Sequence, residues 1–556
     1  MKLPFAYRHR YGRALAQADL LAAMVVAVLL IPQCLAYAML AGLPPQIGLY
    51  ASLLPLLAYA ALGSSPVLGV GPVAVLALMI AQALGGLPAG VSASDGALVL
   101  AAEVGLILAL AAALRLDALA SLLSVPVLHG FETGATLAIA MSQLPVLLGS
   151  TAKGFDLPTL LSSLLHGARP WHGATALFGC LSVALLLAGR RALSPLLGRL
   201  APLLLLLGAM ALAWWTQAQT HGVDLLGELP ALDLPLGAPP LDAALWVALL
   251  PNALLLALMA YVSSLVVAES LGRRRVGLGD ARVNPAAELR GLAGANIVAA
   301  FSGGMPVAGS FSRSVLTHEA GGRTRMTGVY IAALMGLALL LLAAPLAWLP
   351  KTVLAATILV AVLSGLRLQP FVEAWAYARS EALLMLAVTL IVLCWSVAAG
   401  LGLGVLGSIA LLLKRSARPH VALLGRVPGT EHYRNVERYA VECQAGVMGL
   451  RIDESLLFTN ARSLADVVQG HLNKFPDTKR VVIMMSPVNS IDFSGLEALR
   501  ELHDSLKRQG VRLDLSEVKG PVLDLLKASD WTRWFEGQLF LSHHQGMSFG
   551  EDWVSP

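Results

Sequence analysis

The stretch Gly303-Gly304-Met305-Pro306-Val307-Ala308-Gly309-Ser310-Phe311-Ser312-Arg313 places helix breakers, hydroxyls and an arginine inside an apolar region. A counterpart, Gly63-Ser64-Ser65-Pro66-Val67-Leu68-Gly69-Val70-Gly71-Pro72, lies about 240 positions earlier. Each falls at roughly the third apolar segment of a half-chain. Gly/Pro-interrupted segments at matching places in two halves point to an inverted-repeat transporter. Backbone that leaves helical form inside a bilayer survives only where protein or water satisfies it. Two half-helices beginning at these breaks would aim their N–H groups and positive dipole ends at one place, which suits an anion. Pro and Gly are common in membrane helices, so either break alone reads equally well as a kink. Two in register, the second ending in Ser-Phe-Ser-Arg, favour a site.

The rest of the chain fits that frame. Hydrophobic residues make up 57% of its 556 positions and charged residues 13%, against about 25% charged in soluble domains. From Leu20 to about Leu413 apolar stretches of roughly 15 to 25 residues follow one another, the length that crosses a bilayer. From Lys414 onward charge returns at ordinary density. The first apolar run starts late, is long and lacks a small-residue cleavage site, unlike a signal peptide. The cysteines Cys34, Cys180, Cys394 and Cys443 have no paired spacing, so no disulfide or metal framework is expected. Basic residues sit between spans: Lys2, Arg8, Arg10 and Arg13, then Arg190 and Arg191, Arg273 to Arg275, Arg323 and Arg325, and Lys414, Arg415 and Arg418. The loop from Gln217 to Asp242 is instead acidic, with Asp224, Glu228, Asp233 and Asp242. By the positive-inside rule this predicts about fourteen spans with both termini cytoplasmic. The net charge of +5 is spread over those loops and is not a nucleic-acid signature.

Several blocks stand out when taken in order: Ile31-Pro32-Gln33-Cys34-Leu35-Ala36-Tyr37-Ala38, Gly63-Ser64-Ser65, Val70-Gly71-Pro72-Val73, Asn284-Pro285 with Glu288-Leu289, Gly303 to Pro306, Gly309 to Ser314, and Ala320 to Thr324. Together they resemble the sulfate permease (SulP) family of anion transporters. The resemblance implies an α-helical polytopic membrane protein, a seven-plus-seven inverted repeat divided into core and gate domains. It places the anion between the N-termini of spans 3 and 10. The substrate-binding residues so implied are Gln33, Tyr37, Gly71, Pro72, Val73, Ser310, Phe311, Ser312 and Arg313. Backbone N–H groups, the Ser312 hydroxyl and the Gln33 amide would donate to oxyanion oxygens. Tyr37 and Phe311 would form an apolar wall, and Arg313 a positive field. Where many members carry a span-8 carboxylate tied to coupling, this chain has Ser263, in Tyr261-Val262-Ser263-Ser264. Glu103, Glu132 and Glu269 are the carboxylates that could replace it, each equally readable as a paired or snorkelling residue.

The tail resembles the STAS domain, named for sulfate transporters and anti-sigma factor antagonists, at Arg451 to Ala461 and Ser490 to Leu496. Short β-prone runs at 447–452, 480–485 and 511–515 alternate with amphipathic stretches at 460–472 and 496–509, a small α/β domain. The antagonists' phosphorylated serine falls here on Phe493; Ser494 reads as a helix cap. The expected division is a first repeat at 1–240, a second at 241–418, a linker at 419–440 and the cytoplasmic STAS domain at 441–556. The expected function is secondary active transport of an inorganic anion across the cell membrane: sulfate with protons, or alternatively bicarbonate, chloride or dicarboxylates. A passive channel and an anion sensor acting through the tail are the other readings. The resemblance implies a homodimer, with lipid around it and a possible cytoplasmic protein partner for the tail. No cofactor, metal site or nucleic-acid partner is expected. No nucleophile–base constellation suggests an enzyme, and His129 and His318 read as structural.

Overall fold

The computed structural model describes residues 11–88, 90–117, 124–152, 154, 156–165, 171–192, 195–227, 235–275, 283–417 and 419–549. Lys2, Arg8, Arg10, Glu228, Asp233 and Arg418 lie outside the described residues, as do the side chains of Arg190 and Arg191.

The first half runs α1 (Arg13–Leu40), α2 (Pro45–Tyr50), α3 (Leu54–Leu62), β1 (Gly69–Gly71), α4 (Ala74–Leu84), α5 (Ala93–Ala113), α6 (Val125–Leu148), α7 (Leu157–Leu165), α8 (Gly173–Ala192) and α9 (Pro195–Trp215). The second runs α10 (Ala243–Arg275), α11 (Pro285–Phe301), β2 (Ala308–Ser310), α12 (Phe311–Glu319), α13 (Met326–Leu346), α14 (Lys351–Ser364), α15 (Gln369–Tyr377), α16 (Arg379–Cys394) and α17 (Val397–Ser416). With α2–α3 and α14–α15 each taken as one broken span, and α7 left aside, both halves contain seven segments. Among the described residues seven helical spans are long and apolar enough to cross a membrane, two of them the α2–α3 and α14–α15 pairs; several of the rest are shorter apolar helices, among them α4.

The packing repeats with the halves exchanged. Helix α1 packs on α13 as α10 packs on α5, and α3 packs on α13 as α11 packs on α5. Both α1 and α10 pack against α4 and against α12. These elements form a core. Helices α6, α8, α14 and α16 pack mainly on one another as a gate. At the α6–α16 contact a Cβ at Gly130 would strike the Met385 backbone, and Thr389 donates to the Gly130 carbonyl at 2.9 Å. Small residues let membrane helices approach this closely. Many leucines stand exposed on the outer helices, such as Leu177, Leu341 and Leu406; in a bilayer this is the lipid-facing surface.

The second compact unit, Ile409–Pro556, has a core of its own. Its elements are β3 (Val421–Arg426), β4 (Tyr433–Asn435), β5 (Val447–Ile452), α18 (Ala461–Lys474), β6 (Arg480–Met484), α19 (Phe493–Arg508), β7 (Arg512–Ser516), α20 (Gly520–Lys527), α21 (Trp531–Trp534), β8 (Leu539–Phe540) and α22 (His543–Ser548). The sheet order is β4-β3-β5-β6-β7-β8, parallel from β5 to β8. Strands β3 and β4 come from the stretch 419–440, so part of what reads as linker is sheet. The cap of α19 also differs from expectation. Asp492, not Ser494, accepts from the Gly495 N–H, at 2.8 Å, because the helix starts at Phe493, two residues before the expected point.

Helix α22 buries His543 over β5 and β7. Its Nδ1 meets Ser516 Oγ at 2.8 Å, and its Nε2 has no hydrogen-bond partner among the described residues. Burial lowers its pKa from 6.5 to about 4. A histidine held neutral stabilises the fold fully above the unfolded pKa, and that stability is lost as pH falls from 6.5 towards 4. The shift corresponds to a loss of up to about 3 kcal/mol. The pH dependence of thermal unfolding over this window should therefore flatten in His543→Gln; an unchanged dependence would assign it to other groups.

Candidate functional site

Strands β1 and β2 pair antiparallel across the two repeats, Gly69 opposite Ser310, Val70 opposite Gly309 and Gly71 opposite Ala308. Each strand ends where a short helix starts. Helix α4 follows Val73, and no side chain caps it. Helix α12 follows Ser310, whose hydroxyl accepts from the Arg313 N–H. Both breaks read from the sequence are thus strand-to-helix turns, and the sequence leaves two helix N-termini facing one short ladder.

Arg313 ties the turns together. Its side chain is buried at 3% exposure and lies along the face of β1 where Gly69 and Gly71 have no Cβ. Its Nη2 donates to the Pro72 carbonyl at 3.0 Å, just before α4. Its Nε and Nη1 have no hydrogen-bond partner among the described residues. A buried guanidinium with unused donors is costly unless a negative group completes it. A Cβ at Gly71 would collide with Arg313 Nη1 and come within 3.4 Å of Ser52 Oγ. Gly71→Ala should therefore push the guanidinium off Pro72 and lower uptake about tenfold, the effect of 1.4 kcal/mol. Gly402→Ala, facing open space, serves as control; equal uptake by both would show that Arg313 has room to spare.

The other expected ligands divide by exposure. Phe311 and Ser312, on the first turn of α12, are exposed; Ser312 Oγ lies 3.3 Å from Ser310 Oγ. Gln33 and Val73 are half-buried and Tyr37 is buried. Since α1 packs on both α4 and α12, Gln33 and Tyr37 are on the helix that flanks both turns. Hydroxyl, amide and N–H donors beside a fixed positive charge can replace the hydration of an oxyanion.

Several supporting residues have partners that no sequence pattern points to. Asn296 donates to the Val307 carbonyl at 3.0 Å and accepts its N–H at 2.9 Å, holding the chain that leads into β2. Ser264 accepts from Gly309 N–H at 2.7 Å, and Ser314 from Gly69 N–H at 2.9 Å. Each strand thus has one N–H anchored by a serine, which meets the demand that backbone at this depth be satisfied. Two buried carboxylates brace the loops. Glu288 accepts from Tyr59, Ser64 and Ser65, and Asp19 accepts from the Arg323 and Thr324 N–H groups and the Thr327 hydroxyl. An Asn or Ser in an apolar helix shows only that something polar is buried there; the partner is set by packing.

The coupling candidates separate clearly. Ser263 turns its hydroxyl back to the Met259 carbonyl at 2.7 Å. Glu132 is about half exposed, 3.7 Å from His129, and Glu269 pairs with Arg273 at 3.3 Å. Glu103 is different: it is buried at 3% exposure, and its Oε2 has no hydrogen-bond partner among the described residues.

A core in which two half-helices start from one strand ladder, a gate of α6, α8, α14 and α16, and a sheet domain define a multi-pass membrane anion transporter of inverted-repeat design. The sulfate permease family model matches residues 16–388, and the STAS domain model residues 438–546; the chain belongs to the sulfate permease family. It is similar to a probable sulfate transporter of Mycobacterium tuberculosis, 33% identical over 93% of this chain and 92% of that one. It is also similar to probable sulfate transporter 4.2 of Arabidopsis thaliana, 31% identical over 91% of this chain and 76% of that one. In fold it is similar to the murine Solute Carrier 26 family member A9 anion transporter in its inward-facing state, with TM-score 0.87, 21% identity and coverage of 98% and 93%. The transmembrane domain of the cyanobacterial bicarbonate transporter BicA gives TM-score 0.59 at 21% identity, covering 72% of this chain and 98% of that one.

Proposed function

We propose that this protein carries sulfate, together with protons, across the cell membrane by alternating access, working as a homodimer with both termini in the cytoplasm. The observation that carries the reading is the buried Arg313 guanidinium with two unused donor nitrogens, lying across β1 between two helix N-termini. Sulfate suits this arrangement because its oxygens accept from several donors at once. The names of the relatives from Mycobacterium and Arabidopsis support the same substrate. The core carries β1, β2 and both half-helices, so moving it as a body against α6, α8, α14 and α16 would expose the site to either side without remaking it. Glu103, buried and incompletely paired in α5, is the residue best suited to take up the coupling proton, a part Ser263 cannot play.

Uptake of labelled sulfate into proteoliposomes, with and without an inward proton gradient, tests this directly. Saturable uptake stimulated by the gradient and resistant to bicarbonate, chloride and fumarate is expected. Absence of sulfate uptake alongside bicarbonate uptake would move the substrate to bicarbonate; flux that neither saturates nor responds to the gradient would indicate a passive pathway.

A further inference from the structure

Two phenylalanines of the sheet domain stand out of its surface next to the end of a membrane helix. Phe458 and Phe493 are 69% and 77% exposed. They belong to segments held side by side: Asp492 Oδ2 accepts from the Phe458 N–H at 2.7 Å, and Leu456 pairs with Ile491. Asp492 also caps α19, so the first turn of that helix sets the position of Phe493. The same loop is fastened to the last residue of α17. Asn460 Nδ2 donates to the Ser416 carbonyl at 3.1 Å, and Thr459 Oγ1 meets Ser416 Oγ at 3.0 Å.

The position of Ser416 relative to lipid follows from α17 itself, which is apolar enough to cross a membrane. Leu412 and Leu413 are exposed along it, and Lys414 follows, also exposed. Apolar residues giving way to lysine mark the headgroup boundary. Ser416 is two residues further on, so Thr459 is held at that boundary and Phe458 beside it. Arg462, exposed in the first turn of α18 four residues from Phe458, has the charge that suits phosphate headgroups.

Single exposed apolar residues need no explanation. A pair of exposed aromatics on neighbouring segments, one of them next to residues hydrogen-bonded to the end of a spanning helix, does. We propose that Phe458 and Phe493 form a lipid contact, inserting into the headgroup boundary and seating the sheet domain on the bilayer beside α17. Aromatic side chains are favoured at that depth. The Asp492 and Asn460 hydrogen bonds order the loop before it meets lipid, so little entropy is lost on insertion.

Nitroxide labels test the contact in the full-length protein. Phe458→Cys, Phe493→Cys and Leu541→Cys are made singly in a Cys180→Ser, Cys394→Ser, Cys443→Ser background, Cys34 being buried. The protein is placed in nanodiscs of phosphatidylcholine and phosphatidylglycerol. Collision with oxygen should exceed collision with a water-soluble nickel chelate at 458 and 493, and the order should reverse at 541, where the native leucine is 92% exposed. Nickel dominating at 458 or 493 would place that residue in water and overturn the proposal. Labels immobile and shielded from both reagents would overturn it in favour of a protein covering, a second copy included.

Discussion

Arg313→Gln is expected to lower sulfate uptake at least about a hundredfold while the protein remains folded. Removing one partner of a buried charged pair costs roughly 2–5 kcal/mol, and a hundredfold corresponds to about 2.8 kcal/mol. Glutamine is two bonds shorter than arginine and its amide nitrogen falls near the place of Arg313 Nε, so the bond that Nη2 makes to the Pro72 carbonyl at 3.0 Å is lost, while the β1–β2 pairing still holds the strand before α4. Also lost are the charge and the two donors, Nε and Nη1, that no group among the described residues uses. Arg313→Lys keeps the charge without the planar fork and should fall between the two. Uptake kinetics, with thermal unfolding as the folding control, decide the matter. A folded glutamine variant with wild-type uptake would remove Arg313 from the site.

Glu103→Gln should abolish stimulation by a proton gradient while leaving gradient-free sulfate exchange in place. A carboxylate at 3% exposure with an unpartnered oxygen bears a charge whose burial is costly inside a membrane, and a bound proton removes that charge. Glutamine keeps the shape and one acceptor but cannot lose or gain a proton. One coupled proton and a gradient of one pH unit supply 1.36 kcal/mol, about tenfold in accumulation, and this factor is what the variant should lose. Glu132→Gln, altering a residue about half exposed on α6, should keep it. Retained stimulation in Glu103→Gln would place the proton elsewhere.

The two breaks were legible because they violate the local rule of their surroundings. Gly-Met-Pro and Gly-Val-Gly-Pro cannot continue a helix, and in an apolar region such a violation has few physical solutions. The strands of the sheet domain were legible for a similar reason, since β5, β6 and β7 lie within a residue of where alternation and β-prone composition place them. Other features were not. The β1–β2 ladder joins segments whose three-residue strands are too short to show a period. Asn296, Ser264 and Ser314 look like any polar residue in an apolar helix until Val307, Gly309 and Gly69 are seen beside them. The start of α19 was misplaced by two residues because Asp492 and Ser494 are both good caps, and only the Leu456–Ile491 pairing decides which one the chain uses.

By itself the sequence determined that the chain is mostly membrane-embedded, that it repeats with a break in each half, and that both breaks suit an anion. Those conclusions rest on hydropathy, charge and helix breaking, which act over one to twenty residues. The tertiary structure decided which of three glutamates is buried, that Arg313 lies across Gly69 and Gly71 to reach a carbonyl 241 positions away in the chain, and that Ser263 serves its own helix. Burial and hydrogen-bond partnership depend on which helix face meets which neighbour, and no local pattern carries that information.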